Sequence, residues 1–245
     1  MILCILEKLQ SIKIFKCIYL KLRAIKRAKI IKKNKKKIPP YLKNNNFEEE
    51  LNYKLWSTKG ARFNASRRNQ ILQNLSSKAI GYLSAYLIII GIINLYKIDL
   101  FGIKILDNQV GFISTAFSVL ILLFSQLESS ENFSLKSEKH HNCSLDIAEL
   151  YNRTRYVKSY NTNPQDKQQN LQKISNEYDA ILKKYENHLP IDYLMFQITK
   201  PEYYGIGKLR ISYIRFRYYI NVYILYHILI FGPIIILIIF SNLIK

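Results

Sequence analysis

Residues 79–127 read AIGYLSAYLIIIGIINLYKIDLFGIKILDNQVGFISTAFSVLILLFSQL, and this stretch decides the fold. Its first part, 79–98, holds ten Ile or Leu and one charge, Lys97, placed near the end where its stem can snorkel. Its last part, 110–127, carries no charge and eleven Val, Ile, Leu or Phe. A helix that crosses a bilayer needs roughly 20 mostly apolar residues. Both runs meet that length, and Ile and Leu outweigh polar positions such as Asn94 in transfer energy. The link 99–109 (DLFGIKILDNQ) is too short for anything but an antiparallel helical hairpin.

Outward from the hairpin the cations lie on one side. Lys54, Lys59, Arg62, Arg67, Arg68 and Lys78 precede the first run; Lys136, Lys139, Arg153 and Arg155 follow the second. The positive-inside bias therefore predicts a cytoplasmic N-terminus and a cytoplasmic 128–217 region. A third run, 218–244, has seventeen large aliphatic residues or Phe and follows Arg210, Arg215 and Arg217. It reads as a third span that leaves Lys245 outside. Within it, Gly232-Pro233 predicts a kink, and His227 reads as a packing residue.

The flanks of the hairpin read as helix. Asn46 is an N-cap signal, with Glu48, Glu49 and Glu50 favouring the dipole of a first turn. One long helix is expected from about 48 into the first span. A helix over about 128–159 follows the second span. Asn163-Pro164-Gln165-Asp166 then starts another, 164–188, whose Leu171, Ile174, Tyr178, Ile181 and Tyr185 form an apolar stripe. Pro190 ends it. The expected fold is an all-α integral membrane protein: a two-span hairpin with long cytoplasmic helical extensions, plus a C-terminal third transmembrane helix.

Three regions follow from this: 1–46, a basic extension and linker; 47–196, the hairpin with its helical arms; 197–245, a connector and the third span. In the extension, residues 1–22 set apolar residues at helical spacing with Lys8, Lys13, Lys16 and Lys21 between them. That is a basic amphipathic helix suited to a membrane surface, not a signal peptide. Arg23, Lys26, Arg27, Lys29, Lys32, Lys33, Lys35, Lys36 and Lys37 continue it without an acid. Each such cation near an anionic leaflet is worth about 1 kcal/mol. Aromatics for base stacking are sparse there, so nucleic acid is disfavoured as a partner. Pro39-Pro40 and the Asn run 44–46 mark the linker.

The whole chain has 245 residues and a net charge of +20. Its three cysteines, Cys4, Cys17 and Cys143, form no disulfide framework. No Gly-rich phosphate loop, nucleophile elbow or zinc signature occurs. His140, His141, Cys143, Asp146 and Glu149 match no standard ligand spacing. Glu186, His188 and Asp192 are the densest ionisable group near a helix end; a cap or interhelix network is expected there rather than acid–base chemistry. No catalytic residue, cofactor or metal is expected. Small and hydroxyl residues recur on both spans: Gly81, Ser84, Ala85 and Gly91 on the first, Gly111, Thr115, Ser118 and Ser125 on the second. Such positions let helices approach closely. They serve either packing within one hairpin or a subunit interface and pore lining in an oligomer.

Trp56-Ser57-Thr58-Lys59-Gly60-Ala61-Arg62-Phe63-Asn64-Ala65 stands just before the hairpin. His141-Asn142-Cys143 through Glu149-Leu150 follows it, and then Tyr185-Glu186-Asn187-His188 with Ile191-Asp192-Tyr193. In these motifs and their order the chain, over about residues 50–196, resembles the SLATT family, the SMODS- and SLOG-associated two-transmembrane effectors. Trp56, Arg62, Phe63, Asn64, Glu186, Asn187, His188, Asp192 and Tyr193 are the positions that carry the likeness. The resemblance implies a bacterial inner-membrane effector in anti-phage conflict systems. It implies oligomerisation into a pore when a partner sensor fires, and a nucleotide-signal synthase or reverse transcriptase encoded nearby. It also implies no enzymatic activity. The alternative expectation is a non-conducting, membrane-anchored scaffold that docks a soluble partner through its cytoplasmic helices.

Overall fold

The computed structural model describes residues 46–96 and 107–243. The amphipathic 1–22 segment, the basic run 23–37, the Pro39-Pro40 linker and most of the hairpin link lie outside the described residues. The chain divides into two units, Met1–Glu50 and Leu51–Lys245. In the first, Asn46 Oδ1 accepts the Glu48 N–H at 3.0 Å, and three glutamates fill the first turn behind it. That is the expected cap.

The described residues form helices and short turns, with no strand among them. Helix α1, Phe47–Leu95, is a single rod of 49 residues, about 74 Å long at 1.5 Å per residue. Helix α2, Asp107–Ser130, begins the return path and α3, Phe133–Tyr160, extends it. The break falls at Asn132, which sits in the left-handed region (φ 51°) and donates its side-chain amide to the Ser130 carbonyl at 3.1 Å. Asn tolerates that conformation better than most side chains. The helix expected from 128 therefore starts at Phe133.

Helix α4, Pro164–Lys184, starts on Asn163, whose side chain accepts the Gln165 N–H at 3.1 Å. It stops four residues before the expected end at 188. Tyr185 is extended, and so is Leu189 just ahead of Pro190, since a residue before proline is pushed out of the helical region. Then come α5, Pro190–Gln197, and α6, Pro201–Tyr204. Gly205 closes α6 at φ 61°, where a side chain would be strained. Helix α7, Lys208–Tyr219, runs through a π turn, Ile220–Ile224, into α8, Leu225–Leu243. The third span thus begins as a helix ten residues earlier than its apolar run, and α8 continues through Pro233.

Three apolar clusters join the Leu51–Lys245 unit. Leu51 and Leu55 of α1 meet Cys143, Ile147 and Leu150 of α3 and Leu171, Ile174 and Tyr178 of α4. Ile191 and Ile198 meet Ile214 of α7. Leu72 and Ala79 of α1 meet Val222, Tyr226 and Ile230, with Phe124 and Phe133 alongside. The third span is therefore packed on the first. Its inward residues Ile214, Tyr218, Val222, Tyr226 and Ile230 recur every four positions, which overruns a 3.6-residue turn by about 40° per step. The wider π turn takes up part of that drift.

Three helical stretches, Phe47–Leu95, Gly111–Tyr160 and Lys208–Ile235, are long and apolar enough to cross a membrane. In their most apolar windows only 11%, 0% and 17% of residues are buried by the chain itself. Core helices of such composition in a soluble protein would be nearly wholly covered. Phe112, Leu120, Leu122, Ile228 and Phe231 instead stand exposed, and a hydrocarbon solvent accounts for them.

Candidate functional site: a buried polar junction in the helical arms

The helix α1 turns that carry Trp56 to Asn69 present an unusual inner face. Arg62 is 0% exposed, as are Ala61 and Ala65 beside it. Its guanidinium meets His140 Nδ1 of α3 at 3.4 Å and donates to Asn187 Oδ1 in the α4–α5 turn at 3.3 Å. An arginine has only donors, so His140 Nδ1 accepts and the ring proton sits on Nε2. Six residues further along α1, Arg68 donates twice to Asp192, at 2.8 and 3.2 Å. Asp192 is also 0% exposed. Its second oxygen accepts the Leu189 N–H at 3.0 Å, capping α5, and its backbone carbonyl accepts from Asn64 at 3.2 Å. Residues of three segments far apart in sequence thus close on one junction.

The electrostatics follow from burial. Arg68 is paired with the buried Asp192 carboxylate, whereas Arg62 is bonded to the neutral groups His140 and Asn187. Desolvation, then the Arg62 charge, pushes His140 down to about 4. The same two causes lower His188. Burial raises the Cys143 thiol, leaving it a packed core group rather than a nucleophile. The Arg62 Nε and His188 Nδ1 atoms are buried without a protein partner.

A second layer is aromatic. Tyr53 OH pairs with Tyr193 OH at 2.8 Å and with Tyr204 OH at 3.1 Å, and burial raises the Tyr53 hydroxyl strongly. Trp56 lies edge-on to Phe196 at 4.8 Å and to Tyr203 at 5.4 Å. Phe196 sits directly on Gly60: a Cβ there would come within 2.1 Å of the ring. Only glycine lets α5 approach so near.

Of the motif positions expected to matter, Trp56, Arg62, Asn64, Asn187, Asp192 and Tyr193 all belong to this junction. His188 lies beside it, its imidazole coupled to Arg62 and Asp192. Phe63 faces His141 instead, at 5.8 Å between rings, and Glu186 is exposed. Sequence reasoning passed over Arg68, His140, Tyr53 and Phe196. Arg68 was read only as a topology charge and His140 only as a rejected metal ligand. Among the described residues no three His, Cys, Asp or Glu gather as a metal would require. The junction ties α1, α3 and the α4–α5 turn together.

The small residues of the spans lie elsewhere. A Cβ on Gly81, Gly91 or Gly111 would meet nothing within 4 Å. Thr115 and Ser118 are exposed and donate to carbonyls of their own helix, at 2.9 and 2.7 Å. Ser84 and Ser125 are half-buried, and Ser125 lines a groove between α1 and the α2–α3 turn. His227 packs among Tyr219, Tyr223 and Phe231 and pairs with the Tyr219 hydroxyl at 2.7 Å.

Neither a curated protein nor a solved structure matches this chain. The family model of the SMODS and SLOG-associating 2TM effector domain family 5 matches residues 44–239. The match takes in the junction, the hairpin and most of the third span, reaching well past the 50–196 stretch in which the motifs lie. An all-helical unit with membrane-crossing rods and buried motif residues agrees with it, and the chain belongs to the SLATT family of SMODS- and SLOG-associating two-transmembrane effector domains.

Proposed function

We propose that this protein is the membrane effector of a bacterial anti-phage conflict system, and that it assembles into a pore that disrupts the membrane when a partner sensor activates it. One observation carries the reading: among the described residues a Cβ on Gly81, Gly91 or Gly111 would meet nothing within 4 Å, and Thr115 and Ser118 are exposed. Small residues on a lipid-facing surface gain little from lipid but allow another helix to come close. Two or three spans enclose no channel, so conduction requires several copies around an axis. The family's description as an effector domain supports the same reading.

In this proposal the protein is a multi-pass protein of the bacterial inner membrane with a cytoplasmic N-terminus. The basic residues from Arg23 to Lys37 lie against anionic headgroups, and the protein turns over no substrate. The sensor is a nucleotide-signal synthase or a reverse transcriptase encoded nearby. The buried junction relays its signal from the arms to the spans. Induced expression with the activated sensor should collapse membrane potential, and purified protein should release dye from vesicles. Gly111→Leu and Ser118→Leu should abolish both by holding helices apart. Normal potential and intact vesicles with the activated wild type would refute the proposal.

A second reading, a non-conducting scaffold, draws on Tyr156 and Tyr160, which stand exposed and paired at the far end of α3. Exposed tyrosines suit a protein interface. A stable soluble partner captured without any vesicle leakage would favour it.

A further inference from the structure

Two exposed faces of the arm complement one another. Leu209, Tyr213, Phe216 and Ile220 recur at i, i+4, i+7 and i+11 along α7 and its π turn, on the side away from the packed Ile214. Leu209 is 90% exposed, Tyr213 63% and Phe216 61%. Lys208, Arg210, Arg215 and Arg217 flank this ridge, all exposed, and α7 contains no acid. The π turn adds a residue, so that Ile224, Ile228 and Phe231 carry the ridge on into the span.

The second face is a groove of about 460 Å³ between α1 and the α2–α3 turn. Serines dominate its wall, Ile80 and Leu135 add apolar surface, and Glu128 and Glu138 are its only charges. Its size is that of pockets that bury an organic group.

Height relates the two. Tyr226 of α8 donates to Glu128 at 2.9 Å, so these residues share a level. Phe216 stands ten residues before Tyr226, and Glu138 ten residues beyond Glu128, so both lie further into the arm than that level. Copies related by an axis along the membrane normal can only join faces at equal height. The Leu209–Phe216 section of the ridge directly precedes the apolar run 218–244.

We propose that the α7 ridge docks in the Glu128–Glu138 groove of a neighbouring copy of this chain, a head-to-tail contact that closes into a ring. Two α7 ridges facing each other would set eight cations together; ridge against groove sets cations against carboxylates. The inference rests on the oligomeric part of the proposed function and names its interface.

The test uses the full-length chain in membranes, with Cys4 and Cys17 replaced by Ser and buried Cys143 retained. Ile220→Cys combined with Leu135→Cys, six residues before Tyr226 and seven beyond Glu128, should give, on oxidation, a ladder of disulfide-linked oligomers, and either substitution alone should give none. Arg217→Glu or Glu138→Arg added singly should cut ladder yield roughly tenfold, and both together should restore it. A dimer from Ile220→Cys alone would overturn the proposal in favour of a symmetric contact. Absence of any ladder, or equal loss in the charge-swapped pair, would overturn it as well. Leakage that persists without a ladder leaves the pore reading standing and removes this interface; a ladder without leakage does the reverse.

Discussion

Acidification should loosen the arm through His140. In the folded chain its pKa is about 4, against about 6.5 in an unfolded chain. The unfolded state therefore binds more protons between these values. Stability is fully present above about pH 6.5 and is lost as pH falls toward 4. Between pH 7 and pH 5 the loss from this one group is about 2 kcal/mol, and its limit below pH 4 is about 3 kcal/mol. For a chain of this size 2 kcal/mol lowers Tm by about 4–8 °C. Unfolding of the purified full-length protein in a neutral detergent at both pH values reads the effect. Other groups also titrate, so the informative quantity is the wild-type change minus that of His140→Asn, which leaves an acceptor for Arg62 and cannot protonate. His188, lowered by the same causes, adds in the same direction. Arg62→Met should shrink the difference, because it removes the charge that helps depress His140. Equal pH sensitivity in wild type and His140→Asn would refute the assignment of His140 as a buried neutral acceptor.

Gly60→Val should destabilise the arm by about 1–3 kcal/mol, since its side chain must displace the Phe196 ring; an unchanged Tm would show that α5 does not seat there. Arg68→Leu or Asp192→Leu should each lose about 3–5 kcal/mol, and the double variant far less than their sum, because each single change strands a buried partner. A double-mutant cycle with additive losses would count against the pair. Cys143 should resist maleimide in the folded protein and react only on unfolding, its thiol being buried and raised; rapid native labelling would contradict its place in the core.

The sequence by itself determined location and secondary structure. Runs such as 110–127 tolerate no solvent but lipid, and Asn46, Asn163 and Pro164 announce helix starts through local hydrogen bonds that need no tertiary partner. The order of the motifs around the hairpin also pointed to the family. Other features were decided by contacts between distant segments. Helix α4 ends at Lys184 because Asn187 and Leu189 are held by Arg62 and Asp192. One boundary was local instead: the helix expected from 128 begins at Phe133 because Asn132 turns left-handed, with its amide on the Ser130 carbonyl. Arg68 and His140 carried no distinguishing local pattern, since a cation before a span looks the same whether it snorkels to headgroups or is buried on a carboxylate. The third span, which the sequence shows only as an apolar run after a connector, is packed on α1 through Val222, Tyr226 and Ile230. Periodicity shows which face of a helix is apolar. Only the assembled helices decide whether that face meets lipid, its own chain or another copy.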